Sequence, residues 1–222
     1  MKWHYVITTF SHAPKVKKLL RKCIASLPLD AIYNIYDGHD FTSIAQMWNT
    51  AIQKFLLNGT NDYLIILGED LECIGDTGKI LSNALRLGEN YNIIMTTAYD
   101  VNLHGNLGPI FVGGRDILAG MFCFCVGKKF VEKVGLFDEQ YERAWFEDAD
   151  KIYQLYTLGY DLAIVAPVYH VGEANTKYDA EVAAAKLKYF PENLERYIKK
   201  WGGEPSKETF QTPYNKGQHW KN

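Results

Sequence analysis

Six carboxylates fall between positions 138 and 150: Asp138, Glu139, Glu142, Glu147, Asp148 and Asp150, within "GLFDEQYERAWFEDADKIYQLYTLGY". Glu147 and Asp148 open a helical pattern whose stripe is Ala149, Ile152, Tyr153 and Tyr156. The helix dipole stabilises ionised carboxylates in a first turn, which accounts for them structurally. An ionised carboxylate facing a pocket is also a ready general base. A second acidic group, Glu69-Asp70-Leu71-Glu72, directly follows an apolar run. It reads either as a solvated turn or as oxygen ligands for Mg²⁺ or Mn²⁺, an ion that would offset the charge of a diphosphate. Asp37, before Gly38, is a turn residue or an acceptor for a base N–H or ribose hydroxyl. His170 ends the last apolar run, as a metal ligand or a hydrogen-bonded structural imidazole. No Ser-His-Asp or Cys-His arrangement has supporting context.

These residues need strands and helices to position them. "YVITTF" (5–10), "IYNIY" (32–36), "YLIIL" (63–67) and "YNIIMTT" (91–97) read as strands. Between them lie three helical patterns. The first, after Pro14, carries Val16, Leu19, Leu20, Cys23, Ile24 and Leu27; the second, capped by Ser43, carries Ile44, Trp48, Ile52 and Phe55; the third runs from 77 to 87. Such alternation implies an α/β fold with a mostly parallel central sheet and helices on both faces. Ligands in such sheets bind beyond the carboxyl ends of the strands, at Thr8-Thr9, Asp37-Gly38, Glu69-Asp70 and Thr96-Thr97. Residues 101–119 are Gly-rich without helical period. A strand over 120–126, helices over 128–134 and 147–158, a strand over 162–170 and a helix over 178–200 interrupted near Pro191 complete the pattern. Residues 1–201 read as one domain and 202–222 as a polar, extended tail.

The 222 residues are 47% hydrophobic and 23% charged, a composition that can bury one substantial core. A formal net charge of -2 provides no global field for nucleic acid. The basic group Lys15, Lys17, Lys18, Arg21 and Lys22 reads as the solvated face of a helix. No apolar run reaches the ~20 residues of a membrane span. Cys23, Cys73, Cys123 and Cys125 contain no CxxC pair and read as reduced thiols of the cytosol.

Taken together, residues 5–172 resemble glycosyltransferases of the GT-A fold, family 2 type. The resemblance rests on "YDG" at Asp37, "SIAQMWNTAI" (43–52) with Asn49, "YLIILGEDLE" (63–72) at the family's DxD strand, and two late blocks. The late blocks are "LAGMFCFCVGKKFVEKVGLFDEQY" (118–141) and "FEDADKIYQLYTLGYDLAIVAPVYHVG" (146–172). The DxD position departs: it reads Gly68-Glu69-Asp70, with only the last Asp kept. The resemblance implies inverting transfer of a hexosyl or deoxyhexosyl group from a nucleotide-sugar, with Asp148 as base and Glu147 as neighbour or alternate. It implies Asp70, with His170, as the holder of Mn²⁺ or Mg²⁺. Thr8, Thr9, Asp37, Asn49, Glu69, Asp70 and Gly120 would bind the donor. Arg115 and Asp116 of the Gly-rich loop would shape the sugar and acceptor sites, and Trp145 and Phe146 would stack on a sugar face or pack in the core. The acceptor would be a glycan, a lipid-linked sugar or a protein, reached in the cytoplasm or at a membrane surface.

Other readings make different demands. A dinucleotide-dependent oxidoreductase needs GxGxxG after its first strand, and "TTFSHAPK" contains no glycine. A sugar nucleotidylyltransferase needs a Gly-rich basic loop there. A non-catalytic module that binds nucleotide-sugar remains an alternative, because Gly68 removes one metal carboxylate.

Overall fold

Alternating side chains account for the centre of the molecule. The computed structural model describes residues 2–105, 110–112, 120–172 and 174–216. In it Tyr5 and Ile7 of β1 (Trp3–Thr9) join Ile65 and Leu67 of β3 (Tyr63–Gly68) on one side of the sheet. Val6, Leu64 and Ile66 point to the other. The remaining strands are β2 (Tyr33–Asp37), β4 (Leu71–Cys73), β5 (Ile93–Asp100), β6 (Ile110–Val112), β7 (Cys123–Gly127) and β8 (Asp161–His170). Their order is β2-β1-β3-β7-β5-β8-β4, with β6 also paired to β8.

The sheet is mixed. Strands β1, β2, β3, β5 and β8 run one way, as the sequence implies. Strand β7, inserted between β3 and β5, runs against both, and β4 and β6 run against β8. The expectation of mostly parallel pairing is corrected to that extent. A parallel neighbour needs a crossover, usually a helix; the Gly-rich stretch before β7 has no helical period, so β7 starts at the edge where β5 ends. Strands β4 and β6, three residues each, are too short to register as sequence periodicity.

The helices are α1 (Pro14–Ser26), α2 (Ile44–Ala51), α3 (Thr77–Gly88), α4 (Val101–His104), α5 (Lys128–Val134), α6 (Glu147–Thr157), α7 (Ala174–Tyr178) and α8 (Ala180–Trp201). One face of the sheet packs on Trp48 of α2, Phe130 of α5 and Leu155 of α6. The other packs on Cys23 of α1 and Leu81 and Leu85 of α3. Ser43 Oγ caps α2 by accepting from Gln46 N at 3.1 Å. All five basic residues of α1 are exposed.

Helix α8 is continuous through Pro191, which corrects the expected interruption. Proline removes one ladder bond, but packing on both sides outweighs that loss. Phe190 meets Trp145 and Phe146, while Asn193, Tyr197, Lys200 and Trp201 are buried. The tail is also corrected over its described part. Gly202 turns at φ 77°, and the N–H groups of Thr209 and Phe210 donate to Trp201 O at 3.1 and 3.0 Å. Residues 202–216 therefore fold back, and Tyr153 Oη donates to Phe210 O at 2.9 Å.

Lys200 Nζ fastens α8 from within. It lies 2.8 Å from Asp138 Oδ2 and 2.8 Å from Asp150 Oδ1. Trp201 Nε1 and Tyr141 Oη also donate to Asp150, at 2.7 and 3.1 Å. Replacing Lys200 by Met strands the buried Asp150 and the half-buried Asp138, and urea unfolding at pH 7 should show a loss of about 3–5 kcal/mol. Burial raises the Asp138 pKa, but Lys200 outweighs it and holds the carboxyl below its ordinary range. Its stabilisation is thus present above about pH 4 and lost as pH falls through the depressed value. A Lys200→Met protein should lose less further stability between pH 5 and 2 than wild type.

Candidate active site

The β4–β8 ladder pairs Leu71 with His170 and so brings Asp70 beside the imidazole. Asp70 Oδ1 is 3.5 Å from His170 Nε2. Asp70 Oδ2 accepts from Ala174 N at 3.2 Å, and the Asp70 carbonyl accepts from Val171 N at 3.1 Å. Burial raises the Asp70 pKa, yet His170 and the Ala174 N–H prevail and hold it down, so the carboxylate stays ionised at neutral pH. His170 stacks on Phe122, ring centroids 4.4 Å apart, which fixes its orientation.

Gly68 leaves space at this corner: a Cβ there would lie 3.1 Å from Asp70 Oδ1. The corner opens into a cleft of about 160 Å³ whose lining includes Thr8, Trp48, Gly68, Glu69, Asp70, Met121, His170 and Lys186. Glu69 is buried and its N–H donates to Thr8 O at 3.1 Å. Thr8 and Thr9 are buried with their hydroxyls on the carbonyls of Leu67 and Ser11. Gly120 O accepts from Thr97 Oγ1 at 3.1 Å.

The acidic helix start is delivered by a strained segment. Arg143, Trp145 and Phe146 all take left-handed backbone, φ 62°, 76° and 76°. For non-glycine residues each such conformation costs of order 1–3 kcal/mol and persists only where the surroundings impose it. Asn193 of α8 imposes it here: its Oδ1 accepts from Glu142 N at 3.1 Å, and its Nδ2 donates to the carbonyls of Glu142 and Ala144. The backbone of Arg143 also bonds Thr42 and Ile44 at 3.0 and 2.9 Å. Phe146 then opens α6 with no side-chain cap.

Glu147 is 5% exposed, and its Oε2 is buried without a hydrogen-bond partner. Burial, with the adjacent Asp148 second, pushes its pKa well up, while Lys186 pulls the other way. Asp148 is half-buried; burial raises its pKa, opposed by the Ala149 N–H at 2.7 Å from Oδ1. Desolvation thus works against ionisation of this pair, in the direction opposite to the helix terminus. Raised carboxyls are stronger bases. Lys186, which acts electrostatically on Glu147, also lines the strand-end cleft that holds Glu69 and Asp70.

Asp37 accepts from His39 N, His39 Nδ1 and His12 Nε2, at 3.0, 2.7 and 2.5 Å. The Asn49 amide serves a different part of the chain. Its Nδ2 donates to Phe137 O and Glu139 Oε1, and its Oδ1 accepts from Phe137 N, so both amide hydrogens are committed to that turn. Trp145 and Phe146 meet Phe190 at 5.1 and 5.2 Å, which favours packing on α8 over sugar stacking. Arg115 and Asp116 lie outside the described residues. Asp138 and Asp150 belong to the Lys200 network. Sequence reasoning missed Lys186 and Asn193. Asn193 was open to detection, since it shares a stripe at i+4 and i+8 with Tyr197 and Trp201.

Solved structures with this arrangement of strands and helices decide the fold. GalNAc-T7, solved with UDP, GalNAc and Mn²⁺, aligns over 90% of this chain and 49% of its own, with TM-score 0.55 and 14% identity. This chain has a GT-A glycosyltransferase-like fold. It spans about half of GalNAc-T7. A197 from STIV aligns over 76% of this chain and 83% of its own, with TM-score 0.50 and 16% identity. The mannosyltransferase PcManGT from Pyrobaculum calidifontis, solved with GDP-Man and Mn²⁺, covers 87% of this chain and 64% of its own at TM-score 0.49 and 11% identity. No protein-family model and no curated protein sequence matches the chain. Likeness at these identities is a likeness of fold.

Among the described residues no helix is long and apolar enough to cross a membrane. The GT-A-like fold thus contains a buried, raised carboxyl at the start of α6. Glu147→Gln removes the cost of ionising it. Because the folded pKa of Glu147 is raised, wild type loses stability as pH rises from about 4. The variant should melt higher than wild type at pH 7.5, with the gap closing by pH 4, as followed by thermal denaturation.

Proposed function

We propose that this chain is an inverting glycosyltransferase. It would move a hexosyl or deoxyhexosyl group from a nucleotide-sugar to the hydroxyl of a glycan, a lipid-linked sugar or a protein. One observation carries the reading: an ionised Asp70 and an oriented His170 share a corner, beside the space left by Gly68, in the strand-end cleft of a GT-A-like fold.

That corner fits a divalent ion. Asp70 Oδ1 and His170 Nε2 are 3.5 Å apart, and neighbouring ligands of an octahedral ion lie about 3 Å apart or more. Carboxylate oxygen with imidazole nitrogen suits Mn²⁺, and the Cβ-free side of residue 68 leaves room for it. Bound there, Mn²⁺ or Mg²⁺ would stabilise charge on a leaving diphosphate. Glu69 and Gly120 complete the donor side in this reading, and Thr8, Thr9 and the remaining lone pair of Asp37 meet the nucleoside.

Asp148, with Glu147 as alternate, takes the proton from the acceptor hydroxyl. The acceptor oxygen bonds to the anomeric carbon from the face opposite the leaving group. The bond from that carbon to the diphosphate breaks, and its electron pair leaves on phosphate oxygen. Inversion follows from the single displacement. The raised Asp148 carboxyl makes a stronger base. Residues 1–201 would form the one catalytic domain. Four free cysteines fit a reducing, cytoplasmic setting.

Gly68 favours a second reading, in which the fold binds nucleotide-sugar without turning it over. Asp148→Asn separates the two. Transfer predicts that one nucleoside diphosphate with Mn²⁺ raises the melting temperature of wild type and Asp148→Asn alike. Nucleotide-sugar turnover should fall by about 10²–10⁴ in the variant. Asp70→Asn should lose the Mn²⁺-dependent part of the melting shift. Turnover unaffected by Asp148→Asn would remove Asp148 as base; binding without any wild-type turnover would favour the second reading.

A further inference from the structure

Two strand ends meet at an exposed corner for which the transfer reading uses only one lone pair of Asp37. His12 follows β1, Asp37 ends β2, and His39 lies in the 3₁₀ turn Gly38–Asp40. One ligand atom from each, two imidazole nitrogens and a carboxylate oxygen, lie within 4.8 Å of one another. The two rings sit 4.7 Å apart, tilted by 41°. His12 and His39 side chains are 59% and 54% exposed and Asp37 is 32% exposed, so solvent and ions reach all three.

We propose that His12, Asp37 and His39 bind a divalent transition-metal ion of the zinc class, at a site separate from the Asp70–His170 corner. The donor set decides the class. Two imidazoles and one carboxylate suit Zn²⁺ and similar borderline ions, whereas Mg²⁺ takes oxygen ligands and retained water. A carboxylate can only accept, so the metal-free contacts need a hydrogen on both His12 Nε2 and His39 Nδ1. On binding, each neutral ring moves that hydrogen to its other nitrogen, and the freed lone pairs and one Asp37 oxygen bond the ion. Water completes the coordination.

The two carboxylate contacts must lengthen, and the two ring nitrogens, within 4.8 Å of each other, must come to tetrahedral spacing. Ligands of a tetrahedral ion lie about 3.3 Å apart. The contacts at 2.5 and 2.7 Å must therefore open by roughly 0.7 Å, which exposed side chains can do. Around His39 the charge is mixed. Asp179 and Glu181 offset Arg143 and Lys186 along the same shallow cleft. The ion would tie the loop after β1 to the end of β2 and withdraw Asp37 from other ligands.

Titration of Zn²⁺ alone by calorimetry tests the site, with Asp70→Asn protein removing the other corner. Asp70→Asn should bind one equivalent of Zn²⁺. Adding His12→Ala or His39→Ala should weaken binding about tenfold or more. Metal-free melting curves serve as the folding control. Co²⁺ in place of Zn²⁺ should give visible absorption that the histidine variants lack. No saturable Zn²⁺ binding in Asp70→Asn, or affinity unchanged by both histidine substitutions, overturns the proposal. Neither outcome bears on glycosyl transfer.

Discussion

The arrangement of this molecule depends on a lysine buried between two aspartates. Lys200 Nζ neutralises Asp138, next to the turn after α5, and Asp150, in the first turn of α6. The end of α8 is thereby held to that turn and to α6, some 50 to 62 positions earlier in the chain. Trp201 and Tyr141 also donate to Asp150 Oδ1. Buried charges tolerate this only when each has its partners, because removing one leaves the others desolvated and uncompensated. The carbonyl of Trp201 in turn receives the tail.

The same docking places Asn193 where it can hold the left-handed backbone from Arg143 to Phe146. Strain there is offset by the packing of α8, and its result is a carboxyl at Glu147 that is buried and raised. Acids close in sequence thus divide into two physical classes. Asp138 and Asp150 are ion-paired and serve the fold. Glu147 and Asp148 are raised by desolvation, a condition that lowers stability and increases basicity. Fold-serving acids stabilise what the raised acids strain.

In the strand-end cleft, Gly68 has a positional meaning. A side chain there would crowd Asp70 Oδ1, so one potential carboxylate is exchanged for open space beside another. Asp70 is held by backbone N–H groups and by His170, which is itself held by stacking on Phe122. Rigid supports of this kind keep the carboxylate and the imidazole oriented toward each other.

The sequence by itself determined the fold class, most strand and helix positions, the Ser43 cap and the residues at the strand ends. Each is a local consequence: side-chain alternation has period two in strands, helical stripes recur at three and four, and a serine before a stripe caps it. It also implied the Asp70–His170 pair, through a resemblance rather than through spacing. Tertiary structure alone decided that β7 runs antiparallel, that α8 continues through Pro191 and that the Asn49 amide serves the turn at Phe137. It alone separated Asp150 from Glu147, three positions away, and gathered His12, Asp37 and His39. The reason is that pairing direction, desolvation and convergence of loops are set by partners distant along the chain. Local propensity contains no term for those partners.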